Sequence, residues 1–327
     1  MRVRITLIGT WGLLLGLTYV GGSVAWGQQL FRYTQYMVNP FLSNPAVAGT
    51  LPYSPVSLSF RNQWAGFQDG PRTQVLSGHT ALPNRIGVGG VFYSDNTGGA
   101  IRQTGVEFSG SYTVDLNNFD AVSFGLGLMA NQWSFDNAGL EVWDVEDPSL
   151  NMGMEKSLSV DAHFGALVSG QNYSFGLAVP QLIQARTGLS TSPQSISSEE
   201  NQRVRHYRFM GSYRYDINRQ WQLEPAALVR VTERTPAQLD LYARVRYEGM
   251  VWAMAGFRTG ESVLFGAGAE VANFGFAYSY DLSAGAVRYL SPHSHEITVS
   301  YLIPGRRGFS QRSLMDRKML ERRRIVN

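Results

Sequence analysis

The segment Phe274–Asp281, with the sequence FGFAYSYD, constrains the fold more than any other part of this chain. Its aromatic residues alternate strictly with small or polar ones. Successive side chains of a β-strand point to opposite faces, so the four aromatic rings share one face. A soluble sheet would cover that face with a second layer, whereas a membrane β-barrel turns it towards lipid. The pattern predicts a strand and favours a barrel.

Similar alternation recurs in about fourteen segments between residues 54 and 303. In residues 239–248 the charged side chains all share one face, which predicts a polar lumen and a lipid-facing exterior. The long connections, about 135–155, 182–201 and 285–291, are all odd-numbered, whereas the even-numbered ones are short. A sandwich would need a very large single core, and a propeller would show a repeat of ~40–50 residues that is missing. We expect an all-β, antiparallel transmembrane barrel of about fourteen strands.

The N-terminus has the pattern of a secretory signal peptide, assigned to residues 1–27. Arg2 and Arg4 precede the apolar run 5–20, and small residues at Ala25 and Gly27 predict cleavage before Gln28. A retained signal anchor is the alternative. We then expect an N-terminal segment at 28–53 that is periplasmic or lumenal, the barrel at 54–304, and a periplasmic tail at 305–327. The predicted location is the outer membrane.

Composition and motifs give little support for catalysis, a cofactor or a metal site. The chain has no cysteine, which excludes disulfides and thiolate zinc sites. We find no Gly-x-Ser-x-Gly elbow and no phosphate-binding glycine loop in strand–helix context, so we predict neither an enzyme nor a cofactor. His293 and His295 share a strand face while Glu296 points to the other, which argues against a metal site.

Two charged segments leave alternatives open. Acidic residues of the longest odd-numbered connection could hold Ca²⁺, but EF-hand spacing is missing and a solvated loop is favoured; they are Glu141, Asp144, Glu146 and Asp147. Residues 305–327 hold eight basic and two acidic residues, and a helix is expected from about Ser310. Its cations could contact an acidic partner or peptidoglycan, lie on lipid headgroups, or stay solvated; they include Arg317, Lys318, Arg322, Arg323 and Arg324.

Two motif stretches carry a family resemblance. The first is Gln35–Gly49, with QYMVNP followed by NPAVAG, and the second is Arg61–Gln74, with RNQWAGF followed by GPRTQ. Later matches are Gly87–Gly90, Tyr278–Asp281 and His295–Ile297. In order and spacing, over about residues 30–302, the chain resembles the PorP/SprF family of outer-membrane proteins of the Bacteroidetes type IX secretion system.

The resemblance implies a barrel that works with the translocon barrel, the periplasmic ring lipoproteins, or secreted surface cargo such as gliding adhesins. In the first stretch the residues singled out could form a partner dock, an internal plug or a strand lead-in; they are Gln35, Tyr36, Asn39, Pro40, Asn44, Pro45 and Gly49. In the second they could contact a partner, although girdle aromatics are favoured; they are Gln63, Trp64, Gly66 and Phe67. A passive channel for small or hydrophobic solutes is the alternative function, and a membrane hydrolase is the least supported.

Overall fold

The computed structural model describes residues 33–117, 119–136, 154–185, 203–233, 235–284, 286–289, 291 and 293–305. In this part of the chain the main elements are fourteen antiparallel strands, which confirms the predicted class. Their bounds are β1 Tyr53–Asn62, β2 Arg72–Ala81, β3 Ile86–Thr97, β4 Ile101–Asp115, β5 Ala121–Asp136, β6 Met154–Ser169, β7 Tyr173–Val179, β8 His206–Tyr213 with a continuation at Tyr215–Asp216, β9 Trp221–Thr232, β10 Gln238–Tyr247, β11 Val251–Arg258, β12 Ser262–Val271, β13 Phe274–Ser283 and β14 His293–Pro304.

The sheet closes on itself. Each strand pairs with the next in sequence, and β1 pairs with β14 from Tyr53 opposite Pro304 to Asn62 opposite His295. Closure removes the sheet edges that would otherwise leave backbone groups without partners in a membrane. No helix in the described ranges is both long and apolar enough to cross a membrane.

Side chains alternate between lumen and exterior along each strand, as the sequence pattern predicts. In β10, Asp240 and Tyr242 are buried whereas Leu241 between them is 47% exposed. In β13 the aromatic rings of Phe274, Phe276 and Tyr278 lie on the outside. Large apolar side chains on the outside and buried polar ones inside are the arrangement that a lipid environment requires.

The two ends of the barrel differ in the length of their connections. One end carries both Tyr53 and Pro304 together with short connections, such as 82–85 and 272–273; we call it the inner rim. The other end carries the connections 63–71, 137–153 and 180–205 among others; we call it the outer rim. Bacterial barrels place short turns in the periplasm and long loops outside, so we expect the outer rim to be extracellular.

The lumen is packed around a stretch of the chain that precedes β1. Residues 33–50, the lumenal segment, contain two short 3-10 helices, Pro40–Leu42 and Pro45–Val47. Each helix begins with a proline, whose fixed φ and missing N–H suit that position. The segment contributes to both clusters of buried apolar side chains inside the barrel, through Tyr36 to one and Phe41 to the other.

Candidate functional site

The lumenal segment runs along the inside of the barrel from the outer half to the inner rim. Thr34 contacts Arg61, the last residue but one of β1 at its outer end. Gly49 lies against Gly87, the second residue of β3 at its inner end. The first motif stretch is thus inside the lumen, and its N-terminal end is the one that points towards the outer rim.

A buried ion cluster holds the outer end of this segment. Arg61 donates from Nη2 to Asp281 Oδ2 at 2.7 Å and from Nη1 to Glu296 Oε2 at 2.9 Å. Thr34 adds a donor to each carboxylate, with its backbone N–H 2.8 Å from Glu296 Oε2 and its hydroxyl 2.7 Å from Asp281 Oδ2. Carboxylates and guanidinium are all less than 5% exposed, so the charges depend on one another for stabilisation.

A second group of charges extends the cluster across β9, β10 and β11. Asp240 accepts from Arg258 Nε at 3.1 Å and from Arg230 Nη1 at 2.9 Å. Arg258 also lies 3.8 Å from Asp281 and donates to the carbonyl oxygen of Tyr33 at 3.5 Å. The segment therefore contacts both sets of strand charges.

The motif side chains in the middle of the segment bond to the barrel wall. Gln35 donates from Nε2 to the backbone oxygen of Glu296 at 2.8 Å. Tyr36 packs edge-on against Tyr242 with ring centroids 5.1 Å apart. Asn39 donates to Ser77 Oγ at 2.8 Å. Buried polar groups that are bonded in this way fix the segment in one register against the strands.

Asn44 fixes the C-terminal part of the segment. Its Oδ1 accepts from the backbone N–H of Ala46 at 2.9 Å, which caps the second 3-10 helix. Its Nδ2 donates to the backbone oxygen of Ala166 at 3.0 Å and to that of Leu177 at 3.3 Å. The side chain is fully buried, so a single residue joins the segment to both β6 and β7.

Glycines of the wall make room for the segment. A Cβ added at Gly87 would collide with the backbone oxygen of Ala48, and one at Gly125 would collide with the backbone at Ala46. At Gly165 it would collide with Asn44 Oδ1, and at Gly89 with the ring of Phe41. The segment approaches the strands at distances that only glycine permits.

A cavity of about 630 Å³ lies between the segment and the inner rim. Met37, Val38 and Thr50 form part of its wall, and strand residues form the rest. Its charged lining includes Arg244 bound to Glu224 at 2.6 Å and Arg246 bound to Glu270 at 3.3 Å. This cavity thus lies on the inner-rim side of the segment.

The second motif stretch occupies the outer rim. Trp64 donates its backbone N–H to Ser294 Oγ at 3.0 Å, and Ala65 donates to the backbone oxygen of His293 at 2.7 Å. Gly66 has a φ of 101°, a conformation that suits glycine, and Phe67 is 44% exposed. Gln63 donates its N–H to the backbone oxygen of Pro71 at 2.9 Å. The connection is folded onto β14 and presents Phe67 outwards.

The remaining sequence candidates fall in other places. The five tail cations and the acidic residues 141–147 lie outside the described residues. His293 and His295 face the exterior, whereas Glu296 faces the lumen. The Nδ1 atom of His295 is hydrogen-bonded to the hydroxyl group of Tyr278 at 2.8 Å. No group of three metal-binding side chains occurs in the part of the chain that the structure describes.

Sequence reasoning did not single out the ion cluster itself. Arg61, Asp281 and Glu296 each lay inside a quoted motif, and a specific role was weighed only for Glu296, as a metal ligand. A signal existed, because all three occupy positions of their strands that alternate with the apolar, exposed ones. Which inward charges would meet across the lumen depends on the closure of the barrel.

A protein-family model for the type IX secretion system membrane protein PorP/SprF matches residues 25–301. The chain belongs to the PorP/SprF family. The model spans the lumenal segment, the outer-rim motif and almost all of the barrel, so this PorP/SprF barrel includes each element described above. Membership assigns the chain to type IX secretion and, with the barrel fold, to the outer membrane.

Solved structures offer only distant similarity to this PorP/SprF barrel. The CymD monoaromatic hydrocarbon channel is 12% identical, with a TM-score of 0.48 over 83% of this chain and 93% of its own. A Pseudomonas aeruginosa FadL homologue is 11% identical, with a TM-score of 0.47 over 80% and 93%. The KdgM porin is 9% identical, with a TM-score of 0.38 over 76% and 98%. No curated protein matches the sequence.

Proposed function

We propose that this barrel is a non-enzymatic component of type IX secretion, and of gliding where the cell glides, that aids the secretion or surface attachment of cargo. It acts by contacts with the translocon barrel, the periplasmic ring lipoproteins and the cargo. Its N-terminal 27 residues serve as a cleaved signal for export. The observation that supports this proposal is a segment of the chain itself that lies inside the lumen and is anchored there by the Arg61 cluster.

Because the chain's own segment occupies part of the lumen, the proposal places function at the two rims. In this proposal the stretch Gln35–Gly49 is an internal plug that rigidifies the barrel, since its polar side chains bond to the wall. The outer-rim residues Trp64 and Phe67 contact the translocon or cargo. The tail cations, from Arg317 to Arg324, contact the ring lipoproteins at the inner rim.

The test is an affinity purification of the tagged protein from gently solubilised outer membranes. Four forms are compared: the full chain, a truncation lacking residues 305–327, Trp64→Ala with Phe67→Ala, and Phe257→Ala on the lipid-facing side as the matched control. Phe257 is 48% exposed, close to the value for Phe67, but lies on β11 away from the motif. We expect the full chain and the control to recover secretion components, and the other two forms to lose different ones.

The passive-channel alternative makes the opposite prediction. A channel would be recovered alone while the rest of the apparatus stays intact, and it would conduct ions in planar bilayers. The plugged barrel should show no steady conductance. Recovery of the barrel alone together with steady conductance would reject the secretion-component proposal.

A further inference from the structure

Five polar side chains form one row on the outside of strands β2 to β6, beside the outer rim. Arg72 is directly opposite Asn96, Asn96 is opposite Arg102, Arg102 is opposite Ser134, and Ser134 is opposite Lys156. Residues opposite one another on paired strands point to the same face. The three cations are exposed, and each lies within two residues of the outer end of its strand.

The row has a regular spacing. Neighbouring strands are about 4.8 Å apart, so the cations stand roughly 10 Å from one another along a line of about 19 Å. Within the described strands, Arg72, Arg102 and Lys156 are the arginine and lysine side chains that face outwards. The lipid-facing surface of β7 to β14 carries none in its described part. The positive charge is therefore confined to one side of the barrel.

These cations differ from the lumenal arginines in their partners. Arg61, Arg244 and Arg258 each lie within 4.0 Å of a carboxylate. No described carboxylate lies that close to the three cations of the row, which are absent from the ion pairs of the described residues. Asp136 shares the outward face two residues beyond Ser134 and is half-buried. Among the described residues of this face, three cations therefore stand against one carboxylate.

Below the row lies one mainly polar layer and then an apolar surface. Going towards the middle of the membrane, the polar residues of the first layer are Gln74, Ser94, Thr104 and Gln132, and large apolar side chains follow. Phe108 is 72% exposed, Leu128 is 65% exposed, and Phe92 is 49% exposed. Phe108 lies on β4 below Arg102, Leu128 on β5 below Ser134, and Phe92 on β3 below Asn96. A line of cations without a carboxylate partner among the described residues, above an exposed apolar surface, matches a lipid with an anionic headgroup.

We propose that the row of Arg72, Arg102 and Lys156 binds the phosphate groups of a glycolipid headgroup in the outer leaflet. The acyl chains of this lipid lie on Phe92, Phe108 and Leu128. Arginine suits this role because its planar guanidinium donates two parallel hydrogen bonds to a phosphate. The bound lipid covers one side of the barrel, β2 to β6, and leaves β7 to β14 for other contacts within the membrane.

The test measures binding of bisphosphorylated lipid A in detergent micelles to the purified full chain. The full chain is compared with three variants that each carry one of Arg72→Gln, Arg102→Gln and Lys156→Gln, and with the variant that carries all three. It is also compared with the charge-preserving double variant Arg72→Lys with Arg102→Lys. Removal of each cation should weaken binding about fivefold, and of all three about 100-fold. The charge-preserving pair should retain most of the affinity. Heat-modifiable migration in gels verifies that each variant is folded.

Controls separate the row from general attraction to positive charge. Arg288→Gln removes an exposed cation at the outer rim between β13 and β14, and Arg219→Gln removes one at the inner rim. Both should bind lipid A as the unmodified chain does. Dephosphorylated lipid A should bind weakly, and millimolar inorganic phosphate should compete poorly because it lacks acyl chains. Equal affinity of a folded triple glutamine variant, or equal loss in Arg288→Gln, would overturn the proposal.

Discussion

The Nη1 atom of Arg61 lies 2.9 Å from Oε2 of Glu296, and the same carboxylate oxygen accepts the backbone N–H of Thr34 at 2.8 Å. Arg61 is on β1 and Glu296 is on β14, the two strands whose pairing closes the barrel. One ion pair therefore joins the first and last strands and holds the lumenal segment between them. Closure of the barrel and anchoring of the segment depend on the same charges.

Replacement of Arg61 by Gln should destabilise the folded barrel by about 3–5 kcal/mol, because it leaves the buried carboxylate of Glu296 without its cation and leaves Asp281 with only the more distant Arg258, at 3.8 Å. The measurement is urea unfolding in detergent micelles. Arg85→Gln is the control, since the Arg85–Asp115 pair has the same kind of contact, at 3.0 Å, but Arg85 is 47% exposed. That variant should lose about 1 kcal/mol or less. Equal losses in the two variants would contradict the anchoring role of the cluster.

Gly165→Ala should displace the lumenal segment, because the added methyl group would collide with Asn44 and with Pro45. Overpacking of this kind costs about 1–3 kcal/mol. A reporter cysteine at the buried residue Ser43 should then react faster with a maleimide; the chain has no native cysteine to interfere.

Gly110→Ala provides the matched control for this experiment. Gly110 is on β4, and an added Cβ there would meet nothing within 4 Å. In the Gly110→Ala variant, the cysteine at position 43 should react with the maleimide at the same rate as in the chain without a wall substitution. Similar acceleration by both substitutions would mean that close approach of the segment to Gly165 is not what fixes it.

Asn44→Ala removes the cap of the second 3-10 helix and both bonds to the wall, and should cost about 1–3 kcal/mol. Asn44→Asp keeps the acceptor for the N–H of Ala46 but places a carboxylate against the backbone oxygens of Ala166 and Leu177. At neutral pH it should be at least as destabilised as the alanine variant, since like-charged oxygens repel. The midpoint of urea unfolding measures the stability of each of the two variants. An Asn44→Asp barrel as stable as the unmodified one would show that the wall bonds contribute nothing.

Single cysteines should report the orientation of the barrel. Phe67→Cys, at the outer rim, should react in intact cells with a maleimide that does not cross the outer membrane. Leu116→Cys, in an exposed connection of the inner rim, should react only after the outer membrane is permeabilised. The reverse pattern would mean that the long connections face the periplasm.

The alternation of side chains made much of the fold predictable. The side chains of a strand such as β10 alternate with a period of two. One face carries Leu239, Leu241 and Val245, and the other carries Asp240 and Arg244. A membrane barrel accommodates both faces, because lipid covers the apolar face and the lumen takes the charged one. The strand count was predictable because turns such as Asn84 and Gly249, both with positive φ, interrupt the alternation between strands.

The position of the first motif stretch could not be predicted in the same way. Its asparagines and prolines indicate local turns, and these are equally compatible with a periplasmic tether and with a lumenal insert. Only contacts between residues far apart in sequence distinguish the two, such as Asn44 with Leu177 and Thr34 with Glu296. Such contacts form only when the barrel has closed, so the local sequence does not predict them.

The sequence by itself determined the class of fold, the strand count and the family, because periodicity and motif spacing are properties of neighbouring residues. The tertiary structure decided that the motif lies inside the barrel, that Arg61, Asp281 and Glu296 form one buried cluster, and that Arg72, Arg102 and Lys156 form one row. Each of these depends on strand register and on closure. Those are set by the packing of the whole sheet, which brings together residues that the chain keeps far apart.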